Sequence, residues 1–138
     1  MRKPVNVAAS LMLPLLLGGC INDSATYYAD SSNEHTLTVR RQQEYFWSDD
    51  ARVTLMASRM PACQRQIPLT ELALDDVEVE LYAESETRWS LRAGAEVWHV
   101  ETDTCALSDA TGPAVGAKIG VFHSDGERLV FEPATAPK

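Results

Sequence analysis

The chain has 138 residues, room for a single domain. Its formal charge of -8 repels phosphate groups and anionic lipid headgroups and so argues against a nucleic-acid partner. With 45% hydrophobic residues and three tryptophans, it has the composition of a globular protein and not of a disordered one.

At the N-terminus, Arg2 and Lys3 precede an almost wholly apolar run from Val5 to Leu17. At about a dozen residues, that run is too short to span a bilayer stably as a helix. Leu17-Gly18-Gly19-Cys20 comes next: an aliphatic residue, two small ones and a cysteine. These four positions resemble the lipobox of bacterial lipoproteins. Small residues let a protease approach the backbone closely, and the cysteine thiolate is the nucleophile that takes up a diacylglyceryl group. The resemblance implies a signal peptide over 1–19, cleavage between Gly19 and Cys20, a thioether-linked lipid on Cys20 and fatty acylation of the new amine. One acyl chain holds a protein only marginally, whereas several hold it durably. Ile21 stands where an aspartate would retain an enteric-type lipoprotein at the inner membrane, so the expected address is the periplasmic face of the outer membrane. Cleavage removes Arg2 and Lys3 and no acid, taking the formal charge from -8 to -10.

Residues 20–35 read as the lipidated N-terminus and a flexible tether. The stretch is rich in Asn, Asp, Ser, Thr and Ala, and carries one aromatic pair, Tyr27-Tyr28. As a coil it would reach about 20 Å. A β-rich domain is expected over 36–132. Thr36 to Arg41 and Arg52 to Ser58 alternate, the second with Val53 and Leu55 on one face. In Val77 to Tyr82, Val77, Val79 and Leu81 face one side while Glu78 and Glu80 face the other. Thr87 to Arg92 and Glu96 to Thr102 flank an Ala93-Gly94-Ala95 turn, and Lys118 to His123 and Glu127 to Glu132 flank Asp125-Gly126. Leu69 to Leu74 is expected to make one helical turn capped by Thr70, and 133–138 a disordered tail. The predicted fold is mainly β, a small antiparallel sheet curled into a sandwich or partial barrel.

With Cys20 taken by lipid, Cys63 and Cys105 remain, and an even pair in an exported domain predicts one disulfide. A redox couple would favour a Cys-x-x-Cys spacing, and a zinc site would need about four clustered ligands. Neither pattern is present, so no metal and no cofactor are predicted.

Glu44-Tyr45-Phe46-Trp47-Ser48-Asp49-Asp50 is the most distinctive stretch. Tyr45, Phe46 and Trp47 beside acids could make a sugar- or peptide-binding surface. The ordinary alternative, and the expected one, sends alternate aromatics into the core while Ser48-Asp49-Asp50 turns the chain. His99 and Glu101 share a strand face with Val97, opposite Trp98, which suits a general base or half a metal site. No nucleophile is evident beside them. His35 and His123 stand alone. Asp75, Asp76, Glu78 and Glu80 form an acidic stretch without the loop spacing of a dedicated Ca²⁺ site, so a solvated face is expected. No nucleophile elbow, zinc-protease helix motif or phosphate loop occurs.

Gln43-Glu-Tyr-Phe-Trp-Ser-Asp, Arg59-Met-Pro-Ala-Cys63-Gln-Arg, and Trp98 ahead of Thr102-Asp-Thr-Cys105 resemble a group of uncharacterised small proteobacterial lipoproteins. The resemblance covers 40–105 and implies the Cys63–Cys105 pairing and a Gram-negative setting, with no activity to carry over. The expected function is a non-enzymatic, membrane-anchored binding or structural module of the envelope, with an envelope protein or a basic protein as candidate partner. A periplasmic inhibitor of a basic hydrolase such as lysozyme is the alternative, although the Ser-Gly-x-x-Tyr-type loop of such inhibitors is missing. A hydrolase or metal enzyme using His99 and Glu101 comes third.

Overall fold

The structure, a computed structural model, describes residues 20–110 and 113–134. The expected signal peptide and residues 135–138 of the expected tail lie outside the described residues. The strands in chain order are β1 (Asn22–Tyr28), β2 (His35–Gln43), β3 (Asp50–Arg59), β4 (Cys63–Ala73), β5 (Glu78–Ala83), β6 (Arg88–Ala93), β7 (Glu96–Glu101), β8 (Ala106–Ala110), β9 (Ala117–Ser124) and β10 (Leu129–Pro133). They form two antiparallel sheets, a meander β1-β2-β3-β4 and a six-stranded sheet β10-β9-β5-β6-β7-β8. Neither sheet closes into a barrel, and their apolar faces merge into one core cluster, as in a small sandwich.

Period-two alternation accounts for the central strands. Leu37 and Val39 of β2, Val53 and Leu55 of β3, and Val79 and Leu81 of β5 are completely buried. From β6 and β7 the opposing sheet contributes Trp89, Leu91, Trp98 and Val100. At the β6–β7 and β9–β10 hairpin turns, Gly94 (φ +60°) and Gly126 (φ +104°) take positive φ angles that favour glycine. The Cys63–Cys105 disulfide joins the start of β4 to the turn between β7 and β8, and so ties one sheet to the other.

Three segments differ from their sequence-based reading. The stretch expected to be a tether holds β1, paired with β2 from Asn22↔Gln42 to Tyr28↔Thr36. Of its side chains only Ala25 is buried, so the strand carries almost no hydrophobic pattern of its own. Leu69 to Leu74 is not a helical turn: residues up to Ala73 extend β4, whose Pro68 is tolerated because β4 is a sheet edge. Ala106–Ala110, for which no strand is expected, forms β8 at another edge.

A buried ion pair at one end of the sandwich docks β1 on the second sheet. Arg41 continues the inward face of Leu37 and Val39, and its side chain is 1% exposed. Its Nε and Nη2 donate to the two carboxylate oxygens of Asp23 at 2.9 and 2.7 Å, and Nη1 donates to Leu74 O and Ser124 Oγ. Asp23 also accepts the Leu129 amide at 2.9 Å. Burial pushes the Asp23 carboxyl up, but the hydrogen bonds from Arg41 and Leu129 and the guanidinium charge together hold it below the usual range. The opposite end carries His35, stacked edge-on against Trp89 at 5.0 Å, with Nε2 3.2 Å from the hydroxyl of fully buried Thr102.

Candidate binding surface

The β2–β3 connection, residues 44–49, carries Tyr45, Phe46 and Trp47. These are 50%, 70% and 66% exposed, so the aromatics do not enter the core as expected. The reason lies in the frame of β2. Its inward positions run His35, Leu37, Val39, Arg41 and Gln43, and the strand ends at Gln43, so the three aromatics fall in a turn beyond the sheet. Ser48 closes that turn, its amide donating to Tyr45 O at 2.9 Å and its hydroxyl to Asp50 O.

The exposed rings pack on each other. Tyr45 and Trp47 stack with centroids 5.0 Å apart and planes 13° from parallel, and Phe46 meets Trp47 edge-on at 4.7 Å. Such contacts stiffen an apolar surface that solvent still reaches. Beneath it, the Gln43 side chain is buried and hydrogen-bonded on both ends. Its Nε2 donates to Phe46 O and Ser48 O, while its Oε1 accepts the Ile21 amide at 3.0 Å. The Gln43 amide in turn donates to Ile21 O at 2.8 Å, which extends the β1–β2 ladder by one pair. One glutamine therefore supports the aromatic turn and holds the residue that follows Cys20. Sequence reasoning missed Gln43, although its place on the inward frame of β2 was there to be read.

No protein-family model, curated protein or solved structure matches this chain.

The other singled-out residues are bound up within the fold. His99 and Glu101 do share an outward face, but they do not pair with each other: Glu101 lies 3.5 Å from Arg88 across the hairpin. His99 Nδ1 stands 2.9 Å from Ser90 Oγ and 3.6 Å from Glu84 Oε1, at the floor of an open cleft also lined by Ser108 and Val115. The sequence singles out neither Ser90 nor Glu84; the structure shortens the expected Ala93-Gly94-Ala95 turn to Gly94-Ala95, pairing Ala93 with Glu96, and this puts Ser90 directly opposite His99. A relay for nucleophilic catalysis needs the hydroxyl on one ring nitrogen and the acid on the other. Here both approach Nδ1, and Ser90 is completely buried. Its hydroxyl also accepts the Val115 amide, which makes it a pin for the segment leading into β9.

Glu80 is likewise not a free acid on a solvated face. Lys118 Nζ, Tyr82 OH and Arg92 Nε donate to it at 3.1, 3.0 and 2.6 Å. Burial alone would raise its carboxyl, and these donors hold it below the usual range. Asp75, Asp76 and Glu78 lie along a neighbouring groove. Among the described residues, no three His, Cys, Asp or Glu side chains converge on a point that could hold a metal ion. His123 Nε2 lies 2.8 Å from the Glu132 carboxylate on the adjacent strand.

Proposed function

We propose that this chain is a lipid-anchored envelope protein of a Gram-negative bacterium, a non-enzymatic binding or structural module held at the periplasmic face of the outer membrane. Its precursor is cleaved between Gly19 and Cys20, and Cys20 carries the lipid. The observation that supports this reading most is the division of labour among the three cysteines. Cys63 and Cys105 are spent in a bridge between the sheets, which leaves Cys20 free and exposed at the edge of the domain, directly behind the Leu17-Gly18-Gly19 sequence. An inter-sheet disulfide also suits an oxidising compartment. The Tyr45–Trp47 turn supplies the surface through which such a module makes contact, because exposed aromatics already packed together lose little freedom on binding.

Intact mass of the full chain, expressed in a Gram-negative host and extracted from membranes, tests the anchor. A chain beginning at Cys20 with acyl mass, gaining about 2 Da on reduction of its one disulfide, is expected. Replacing Cys20 by Ser should move the protein out of the lipidated, processed pool. Unacylated wild-type protein would remove the proposal.

A further inference from the structure

We infer that the Tyr45–Phe46–Trp47 turn is a membrane-interface dock, seated in the headgroup boundary of the bilayer that holds Cys20 and fixing how the domain stands on it. The inference rests on the proposed anchor at Cys20 and names lipid as the partner of the aromatic surface.

The two features belong to one end of the molecule. Ile21 is bonded to Gln43 through both backbone and side chain, so Cys20 emerges at the base of the aromatic turn. Phe46 is three steps along the chain from Gln43, a reach of about 10 Å. That is within the depth, roughly 5–10 Å, to which amphipathic surface elements bury their apolar side chains at the acyl boundary. There is no slack between anchor and domain, because β1 begins two residues after Cys20 and is paired with β2 from Asn22 to Tyr28. An acylated Cys20 would hold this end of the sandwich against the membrane whether or not the turn were suited to it.

The turn is suited to it. Phe46 and Trp47 are the two most exposed large apolar side chains among the described residues, and Tyr45 adds a ring with a polar tip. Tyrosine and tryptophan are the residues that gather at membrane interfaces, where one side of the ring is apolar and the other wet. The charges around the turn select the kind of lipid. Glu44 lies 3.5 Å from Arg52, but Asp49 and Asp50 are not offset in this way, so a zwitterionic surface fits better than an anionic one.

The three tryptophans make the test direct. Trp89 and Trp98 are 2% and 5% exposed, so the emission that disappears in a Trp47→Phe variant reports on the turn alone. Full-length protein processed in a Gram-negative host, its acylation checked by intact mass, is added to preformed phosphatidylcholine vesicles that include phosphatidylcholine brominated on its acyl chains. The Trp47 emission is expected to be lost to the brominated lipid and spared by aqueous iodide. If acylated protein shows the reverse, iodide quenching and indifference to brominated lipid, the turn faces away from the bilayer. The inference is then overturned while the anchor stands, and the turn is a surface for a protein or sugar. Protein that carries no acyl mass overturns both.

Discussion

The two ends of the sandwich hold their sheets together by different means. At the end where Cys20 emerges, the clamp is a buried guanidinium and a carboxylate, Arg41 and Asp23, which draw in Leu74, Ser124 and Leu129. At the other end it is a covalent bond, Cys63–Cys105, with His35 packed on Trp89 and hydrogen-bonded to Thr102. The six-residue step from His35 to Arg41 along β2 puts the two clamps about 20 Å apart. The difference teaches that cross-links of equal structural importance need not be equally visible. A cysteine pair announces itself, whereas an arginine on an inward strand position is recognised only when its partner is known to be near.

The largest expected effect is at the covalent end. The disulfide closes a separation of 42 residues. Replacing both cysteines by alanine should cost about 4 kcal/mol in the loop-entropy account, read as a shift in the urea midpoint. At the opposite end, Asp23→Ala should cost roughly 3 kcal/mol, the low side for breaking a buried pair. It leaves Arg41 without its counter-ion, but a quarter of the Asp23 side chain is already wet. Being distant, the two losses should add within about 0.5 kcal/mol; a large coupling between them would show that the clamps act as one.

A smaller, pH-dependent effect separates the ends further. Burial holds the His35 imidazole below its usual range, with Arg59 acting the same way and Asp30 opposing both. A group depressed in the folded state takes up protons first in the unfolded state, so its contribution is complete above the unfolded value of about 6.5 and declines as pH falls below it. His35→Gln should flatten the stability profile between neutral pH and pH 5 relative to wild type; an unchanged slope would remove His35 as the cause. Asp23 acts in a more acidic window, its contribution present above the unfolded carboxylate range and lost as pH falls through its own lowered value. The smallest effect belongs to the aromatic turn. Trp47→Ser should change stability by less than about 0.5 kcal/mol, because the ring leaves no core contact behind. A large loss on chemical denaturation would mean that the turn supports the fold.

The legibility of the strands follows their place in the sheets. β2, β3, β5, β6, β7 and β9 each have a neighbour on both sides, and the sequence predicts a strand at each of them. The unforeseen strands, β1, β4 and β8, are all edges. An edge buries fewer side chains, so β1 shows Ala25 alone as a core residue and β4 tolerates Pro68, and the alternation that marks a strand fades. β10, also an edge, was legible because Asp125-Gly126 announces its hairpin. The same logic explains the candidate surface. Tyr45, Phe46 and Trp47 could be singled out by composition, but whether they pointed in or out depended on where β2 ended, and no single residue type marks that point.

The sequence alone determined the mainly β class, the two glycine hairpins, the inward faces of β3 and β5 and the cysteine bridge, because each rests on a local period, a turn preference or a count. Only the tertiary structure decided that β1 is part of the domain, that Arg41 meets Asp23, and that His99 faces Ser90 and Glu84. It alone decided, too, that the aromatic turn shares an end with Cys20. Each of these joins residues far apart along the chain or depends on a sheet edge, and a linear pattern carries no record of which groups folding brings together.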